Sequence, residues 1–247
     1  MTESVDFGFR RVSSGEKTRR VKGVFTSVAD DYDLMNDLMS LGVHRLWKRF
    51  SVHIAGLKPD ARVLDLAGGT GDMTALIKKR LNEKGHIVLC DINGEMLRAG
   101  RDKLYDNGIC QGLDFVQADA EALPYPDNSF DCVMVAFGLR NITDKQAALQ
   151  AIHAKLKYGG VLNILEFSRL TLPLLQKLYD RYSFSMIPLL GRLVAGDQDS
   201  YQYLVESIRM HPDQETLKDM LQQAGFARVQ YYNLSAGIVA HHQAWKL

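Results

Sequence analysis

The 247-residue chain carries 30 Lys and Arg against 29 Asp and Glu, and 46% of it is hydrophobic. This length and apolar content suit one large α/β domain, or two small ones, with a sizeable core and no need for disorder, and the charge balance argues against bulk nucleic-acid binding. Its three cysteines, Cys90, Cys110 and Cys132, show neither CxxC nor Cys/His spacing, which excludes a disulfide frame or a zinc site and fits reduced thiols in a cytoplasmic protein.

The first residues, MTESVDFGFRRVSS, place an early acid where a secretory or transit signal would have none. No apolar run approaches the roughly 18 residues of a membrane span. The expectation is a soluble protein, or one that sits on a membrane surface. Residues 10–60 are expected to be mostly helical, with Phe25, Val28, Tyr32, Met35 and Met39 at helical spacing and a turn at 58–60. RVLDLA (62–67) is an apolar strand, MTALIKKRL (73–81) an amphipathic helix and HIVLCDI (86–92) a second strand. A helix over 94–108 ends at Gly108, and strands follow at 113–119 and 129–137. Thr143 and Gln146 form a capping box that opens a helix to Lys157, closed by Gly159–Gly160, before a fifth strand at 161–168. Residues 169–210 interrupt this rhythm with a long helical insertion rich in Leu, Tyr and Phe. A helix then runs from near Pro212 to Gly225, and the chain closes as a hairpin looped at Ser235–Gly237.

Strands alternating with helices of this length predict right-handed βαβ units. The expected fold is α/β: a seven-stranded, mostly parallel open sheet with a terminal antiparallel strand, in one domain. Its parts are a helical N-terminal cap (1–60), a ligand-binding core (61–168), a helical lid (169–210) and closing elements (211–247).

The stretch VLDLAGGTGD (63–72) sets a glycine turn between a strand and a helix. Aligned on Gly69 and Gly71, the dinucleotide fingerprint G-x-G-x-x-G would need glycine where Thr74 stands, and no Gly-Lys-Ser/Thr follows for a phosphate loop. What remains is a turn whose backbone can approach a ligand closely, with Thr70 offering a hydroxyl. Asp91 ends the second strand, where an acid can bridge two ribose hydroxyls, and Asp119 ends the third at the same crevice. A nucleoside without phosphates suits this set better than NAD, and S-adenosylmethionine is one.

DLAGGTGD, CDIN and ADAEALPYPDNSFD resemble a class I S-adenosylmethionine-dependent methyltransferase. DYDLMNDLMSLGVHRLWKR, AFGLRNITDK and ESIRMHPDQETLK are similar to the ubiquinone/menaquinone biosynthesis C-methyltransferase family, from about Phe7 to the C-terminus. The resemblance implies a Rossmann-like fold, cofactor contacts at Thr70, Asp91 and Asp119–Ala120 beside the Gly69 turn, and methylation of a polyprenyl benzoquinol or demethylmenaquinol at a ring carbon. Ala67 fills the first glycine place of the family's turn, Ala136 stands where a serine contact is common, and Tyr158 replaces a common proline.

A quinol carbon gains nucleophilicity when its neighbouring hydroxyl, with a pKa of about 10, loses its proton. Arg140 in AFGLRN is too basic to take that proton, but it can stabilise a phenolate or orient a water that does; otherwise it caps a helix or pairs with Asp144. Tyr32 can hydrogen-bond the quinol or pack in an apolar stripe. His211 is expected to be structural, and His241–His242 has no acid spaced for a metal, so no metal is assigned. The cations of 10–22 and of HRLWKRF (44–50) are a solvated face or a contact with an anionic membrane. Expected partners are the quinol, a membrane surface, other quinone-biosynthesis proteins and a second copy in a homodimer, with no nucleic acid. Competing readings keep the cofactor with another small-molecule or lipid acceptor, make the chain a nicotinamide dehydrogenase, or make it a non-catalytic member of a quinone-synthesis assembly.

Overall fold

A computed structural model describes residues 4–27, 36–37, 40–171 and 197–247. Strands β3 (Arg62–Leu66), β4 (His86–Asp91), β5 (Leu113–Gln117), β6 (Phe130–Ala136), β7 (Leu156–Phe167), β8 (Arg228–Leu234) and β9 (Val239–Trp245) form one sheet in the order β5-β4-β3-β6-β7-β9-β8. Pairing is parallel from β5 through β7. The last strand, β9, is antiparallel to both β7 and β8, and it fills the gap between them instead of forming the edge. The order of the parallel strands reverses between β3 and β6, which opens a crevice beyond their carboxyl ends where open α/β sheets bind ligands.

Helices cover both faces, so the central strands are apolar on both sides and do not alternate. Leu64, Leu66 and Val133 pack with α5 (Lys145–Lys155) and α7 (Gln214–Gln223) through Leu149, Ile152, Leu217 and Leu221. On the other face Val63, Ile87 and Met134 pack with α2 (His44–Ile54) and α3 (Asp72–Lys78) through Val52, Met73 and Ile77. Leu89 packs against Leu97 and Leu104 of α4 (Gly94–Asp106).

The N-terminal cap differs from the helical expectation. It begins with a hairpin, β1 (Ser4–Phe7) and β2 (Arg10–Ser13), and becomes helical only at α1 (Ser14–Ser27). Gly8, first of the two connecting residues, has φ +57, as a two-residue hairpin loop with glycine there requires. The hairpin sits on α6 (Gln198–Met210): Phe7 stacks on Tyr203, and the Phe9 amide donates to Glu206. Four-residue strands are too short for periodicity to reveal.

The capping box at Thr143 and Gln146 gives way to Asp144, whose carboxylate accepts from the Ala147 amide, while Thr143 bonds Thr18. α5 then stops at Lys155, and β7 starts at Leu156, taking Tyr158–Gly160 into the strand across a register shift. The helix after the glycine turn ends at Lys78, three residues before its expected end. Most of the expected lid (172–196), and Tyr32, lie outside the described residues. Among the described residues no helix is long and apolar enough to cross a membrane.

Gly100 of α4 faces the glycine turn. A Cβ there would lie 2.6 Å from the Gly69 carbonyl oxygen and 3.1 Å from the Thr70 carbonyl carbon. Gly100→Ala is therefore expected to lower stability by about 1–3 kcal/mol in urea unfolding, despite alanine's better helix propensity, because backbone must move.

Candidate active site

The turn after β3 is built by close backbone approach. The Gly71 amide donates to the Gly68 carbonyl at 2.9 Å, and Gly69 and Gly71 have φ +52 and +79. A Cβ on Gly68 would sit 3.0 Å from the Asp65 carboxyl, and one on Gly71 would sit 2.9 Å from Leu104. Ala67 enters the turn at φ +54, a conformation that costs an alanine about 1 kcal/mol. Gly138, beyond β6, makes room for its methyl: a Cβ at 138 would lie 2.5 Å from the Ala67 Cβ.

Asp91 ends β4 and joins two loops. Its Oδ2 accepts from the Gly69 amide at 3.0 Å and its Oδ1 from the Asn93 amide at 2.8 Å. Burial pushes its carboxyl above the usual range, against the pull of these amide bonds. Asn93 caps α4 by accepting from Glu95 and Met96, and its amide group donates to the Lys22 carbonyl and the Thr26 hydroxyl of α1. The helix α1 is thereby fastened across the crevice.

Between them lies a cleft of about 780 Å³ lined by Gly69, Asp91, Asn93, Asp119, Ala120 and Asn141. From α1 come Thr18, Val21, Lys22 and Phe25, which no sequence motif marked as a wall of the site. Asp119 Oδ1 accepts from the Glu121 amide at 3.0 Å. The structure thus brings Gly69, Asp91, Asp119 and Ala120 together on one wall. Thr70 is placed differently: it is buried at 6% exposure and does not line the cleft.

Arg140 sits in the short 3-10 turn Leu139–Asn141 after β6, and its side chain is buried. Its partner is Glu166 near the end of β7, at 2.9 Å, and not Asp144. Glu166 also accepts from the backbone amides of Arg140 and Phe167, and the guanidinium donates to the Phe137 carbonyl. The pair fixes the Phe137–Asn141 loop that forms the far wall of the cleft. A lone acid in a buried apolar strand, LEF, was the sequence signal that could have named the partner.

Other acids and histidines have structural roles. Burial raises the Asp72 carboxyl, but Lys48 at 2.8 Å and Lys103 at 2.7 Å outweigh it and hold it at about 2, tying α2, α3 and α4 together. His211 caps the C-terminal end of α6 with its backbone and is buried. His241 and His242 lie in β9, and among the described residues no cluster could hold a metal.

Asp65 lies beneath the turn, fully buried, accepting from the Thr74 hydroxyl at 2.6 Å. Burial pushes its pKa up to about 7 despite that bond. The native chain then keeps this proton up to about pH 7, whereas the unfolded chain gives it up near pH 4. The resulting stabilisation is complete below about pH 4 and is lost as pH rises to about 7. Asp65→Asn, which stays neutral, is expected to gain stability relative to the wild type between pH 5 and pH 8 in urea unfolding; parallel curves would show Asp65 ionised throughout.

A sequence model described as the ubiE/COQ5 methyltransferase family matches residues 13–246. A relative from Hydrogenovibrio crunogenus, named ubiquinone/menaquinone biosynthesis C-methyltransferase UbiE, is 56% identical over 244 residues, covering 99% of this chain and 96% of its own. The protein of that name from Vibrio cholerae is also 56% identical, over 99% of this chain and 94% of its own. Among solved structures, a SAM-dependent methyltransferase from Thermotoga maritima aligns with a TM-score of 0.65 at 18% identity, over 92% of this chain and all of its own. One from Aquifex aeolicus aligns with a TM-score of 0.62 at 18% identity, over 87% of this chain and 98% of its own. At that identity these structures speak for the fold, and the extended sequence identity speaks for the lineage: the chain belongs to the ubiE/COQ5 methyltransferase family.

Proposed function

We propose that this protein moves the methyl group of S-adenosylmethionine to a ring carbon of a polyprenyl quinol in ubiquinone/menaquinone biosynthesis, the acceptor being 2-polyprenyl-6-methoxy-1,4-benzoquinol, demethylmenaquinol or both. The observation that carries this reading is the 56% identity, over nearly the whole length of both chains, to relatives named for that role.

The cleft's chemistry fits the cofactor. Asp91 offers carboxylate oxygens at the switch point of the sheet, where they would hold the two ribose hydroxyls. Gly69 lets the backbone come close, Asp119 stands on the adenine side, and Ala120 is small enough to leave room for a flat ring. The bound cofactor supplies an already activated sulfonium methyl. The protein's own work is to align the acceptor, exclude water and favour loss of the phenolic proton. The helix α1 covers the cleft and excludes water. Arg140, its charge balanced by Glu166, does not itself line this cleft and acts by holding the Phe137–Asn141 loop in place. Tyr32 is the proposed hydrogen-bond partner of the acceptor hydroxyl. A peripheral membrane contact through α2, where Leu46 is 61% exposed beside Arg45 and Arg49, would bring a tailed substrate to the site; flotation with anionic liposomes tests it. Self-association into a homodimer is read by sedimentation.

Asp91→Ala is expected to weaken S-adenosylhomocysteine binding about 100-fold by calorimetry, the loss of two charge-assisted bonds worth about 3 kcal/mol together. NADH binding in its place would overturn the cofactor assignment. Arg140→Ala is expected to lower turnover while cofactor affinity stays within a few-fold. Cells lacking the protein are expected to accumulate a quinone short by one methyl group, read by mass spectrometry.

A further inference from the structure

A second cleft, of about 620 Å³, opens between the N-terminal hairpin, α1, the start of α5 and α6. It is separate from the cofactor cleft. Thr143 is common to both, and the wall between them is closed by the Thr18–Thr143 and Tyr203–Asn141 hydrogen bonds.

Its lining is cationic: Arg11, Lys17, Arg140 and Lys145 face a single acid, Asp6. Two of these cations are accounted for. Arg11 is exposed and pairs with Asp6 at 3.3 Å, and Arg140 pairs with Glu166. Lys17 and Lys145 are not. Lys17 is buried at 4% exposure, and the two ammonium groups share one acceptor, the Ile142 carbonyl, at 3.3 and 3.4 Å. Among the described residues neither has a carboxylate within ion-pair distance. Burial draws the pKa of both down, that of Lys145 to about 8, with Lys17 pressing further on Lys145, against the weaker pull of Asp6 and Glu121 on Lys17 and of Glu166, Asp6 and Asp144 on Lys145. Across the wall, His211 is kept neutral by burial and by the charges of Lys145 and Arg140. Two ammonium groups brought out of water around one neutral oxygen are costly, and an anion between them removes the cost.

We propose that this second cleft binds a phosphate-type oxyanion between Lys17 and Lys145, and that its occupancy fastens the hairpin and α1 over the cofactor cleft. Lys17 is on α1 and Lys145 opens α5, so a bridging anion joins α1 to the core. One residue beyond Lys17, Thr18 lines the cofactor cleft, followed by Val21, Lys22 and Phe25. Anion and cofactor then favour each other's binding, by reciprocity of coupling. The proposal is independent of which acceptor is methylated.

The test uses the full chain in chloride buffer, with inorganic phosphate added to 10 mM at matched ionic strength. Wild-type protein is expected to gain about 3 °C in Tm and to bind S-adenosylhomocysteine several-fold more tightly. The double variant Lys17→Met/Lys145→Met is expected to lose both responses, yet to be no less stable than wild type in chloride, since it removes buried charge. Phosphorus NMR of wild-type protein titrated with phosphate gives a measurement that needs no variant: line broadening, reversed by sulfate, is expected. Vesicles of phosphatidylcholine with or without phosphatidic acid separate the sources. A response to free phosphate identifies a soluble ion, and a response only to the phosphatidic acid vesicles identifies a lipid headgroup. Three results would overturn the proposal: no response by wild type to either source, an undiminished response in the double variant, or an equal response to phosphatidylcholine alone.

Discussion

The bidentate acceptance at Asp91 is the constraint on which the site depends. One oxygen holds the Gly69 amide and so fixes the turn after β3; the other holds the Asn93 amide and so fixes the start of α4. Asn93 passes the constraint outward through its side chain to α1. A single carboxylate at a strand end thereby sets the floor, one wall and the roof of the cleft. Its burial raises the cost of ionising it, and the two amides reduce that cost.

A second buried carboxylate fixes the opposite wall in a different way. Glu166 collects the Arg140 guanidinium and two backbone amides, joining the end of β7 to the loop after β6. Buried pairs of this kind contribute little net stability but define geometry, because loss of either partner strands the other charge. The loop that forms the far wall of the cleft is therefore held by an interaction that tolerates few alternatives. Both carboxylates act at the carboxyl ends of parallel strands, on either side of the point where the strand order reverses.

Much of this was legible in the sequence. The seven strands, their alternation with helices, the glycine turn and the strand-end acids Asp91 and Asp119 follow from local patterns, since buried parallel strands are short apolar runs and glycine turns need positive φ. The misses have physical reasons. β1 and β2 are shorter than any period can register, and their signal was one glycine in a two-residue loop. Gly159–Gly160 reads as a helix stop yet joins a strand, because its backbone exchanges hydrogen bonds with Lys246, just past β9, and this overrides local propensity. Asp144 displaced Thr143 as the cap, because the hydroxyl of Thr143 is occupied by Thr18 from 125 residues away. Glu166 meets Arg140, and Lys17 meets the Ile142 carbonyl, only through tertiary contact, which no spacing along the chain encodes.

The fit of Ala67 against Gly138 has a consequence for how this turn can change. With a methyl at 67, position 138 has no room for a side chain. Without that methyl, the next atoms a Cβ at 138 would meet are the Val135 side chain at 3.6 Å and the carbonyl of residue 67 at 3.7 Å, both ordinary contacts. The two positions are therefore epistatic. Alanine at 138 is barred in this background and admitted once 67 is glycine, so the order in which substitutions arrive decides which are viable. A departure from the family's usual turn has made an otherwise replaceable glycine indispensable, on the opposite side of the cleft.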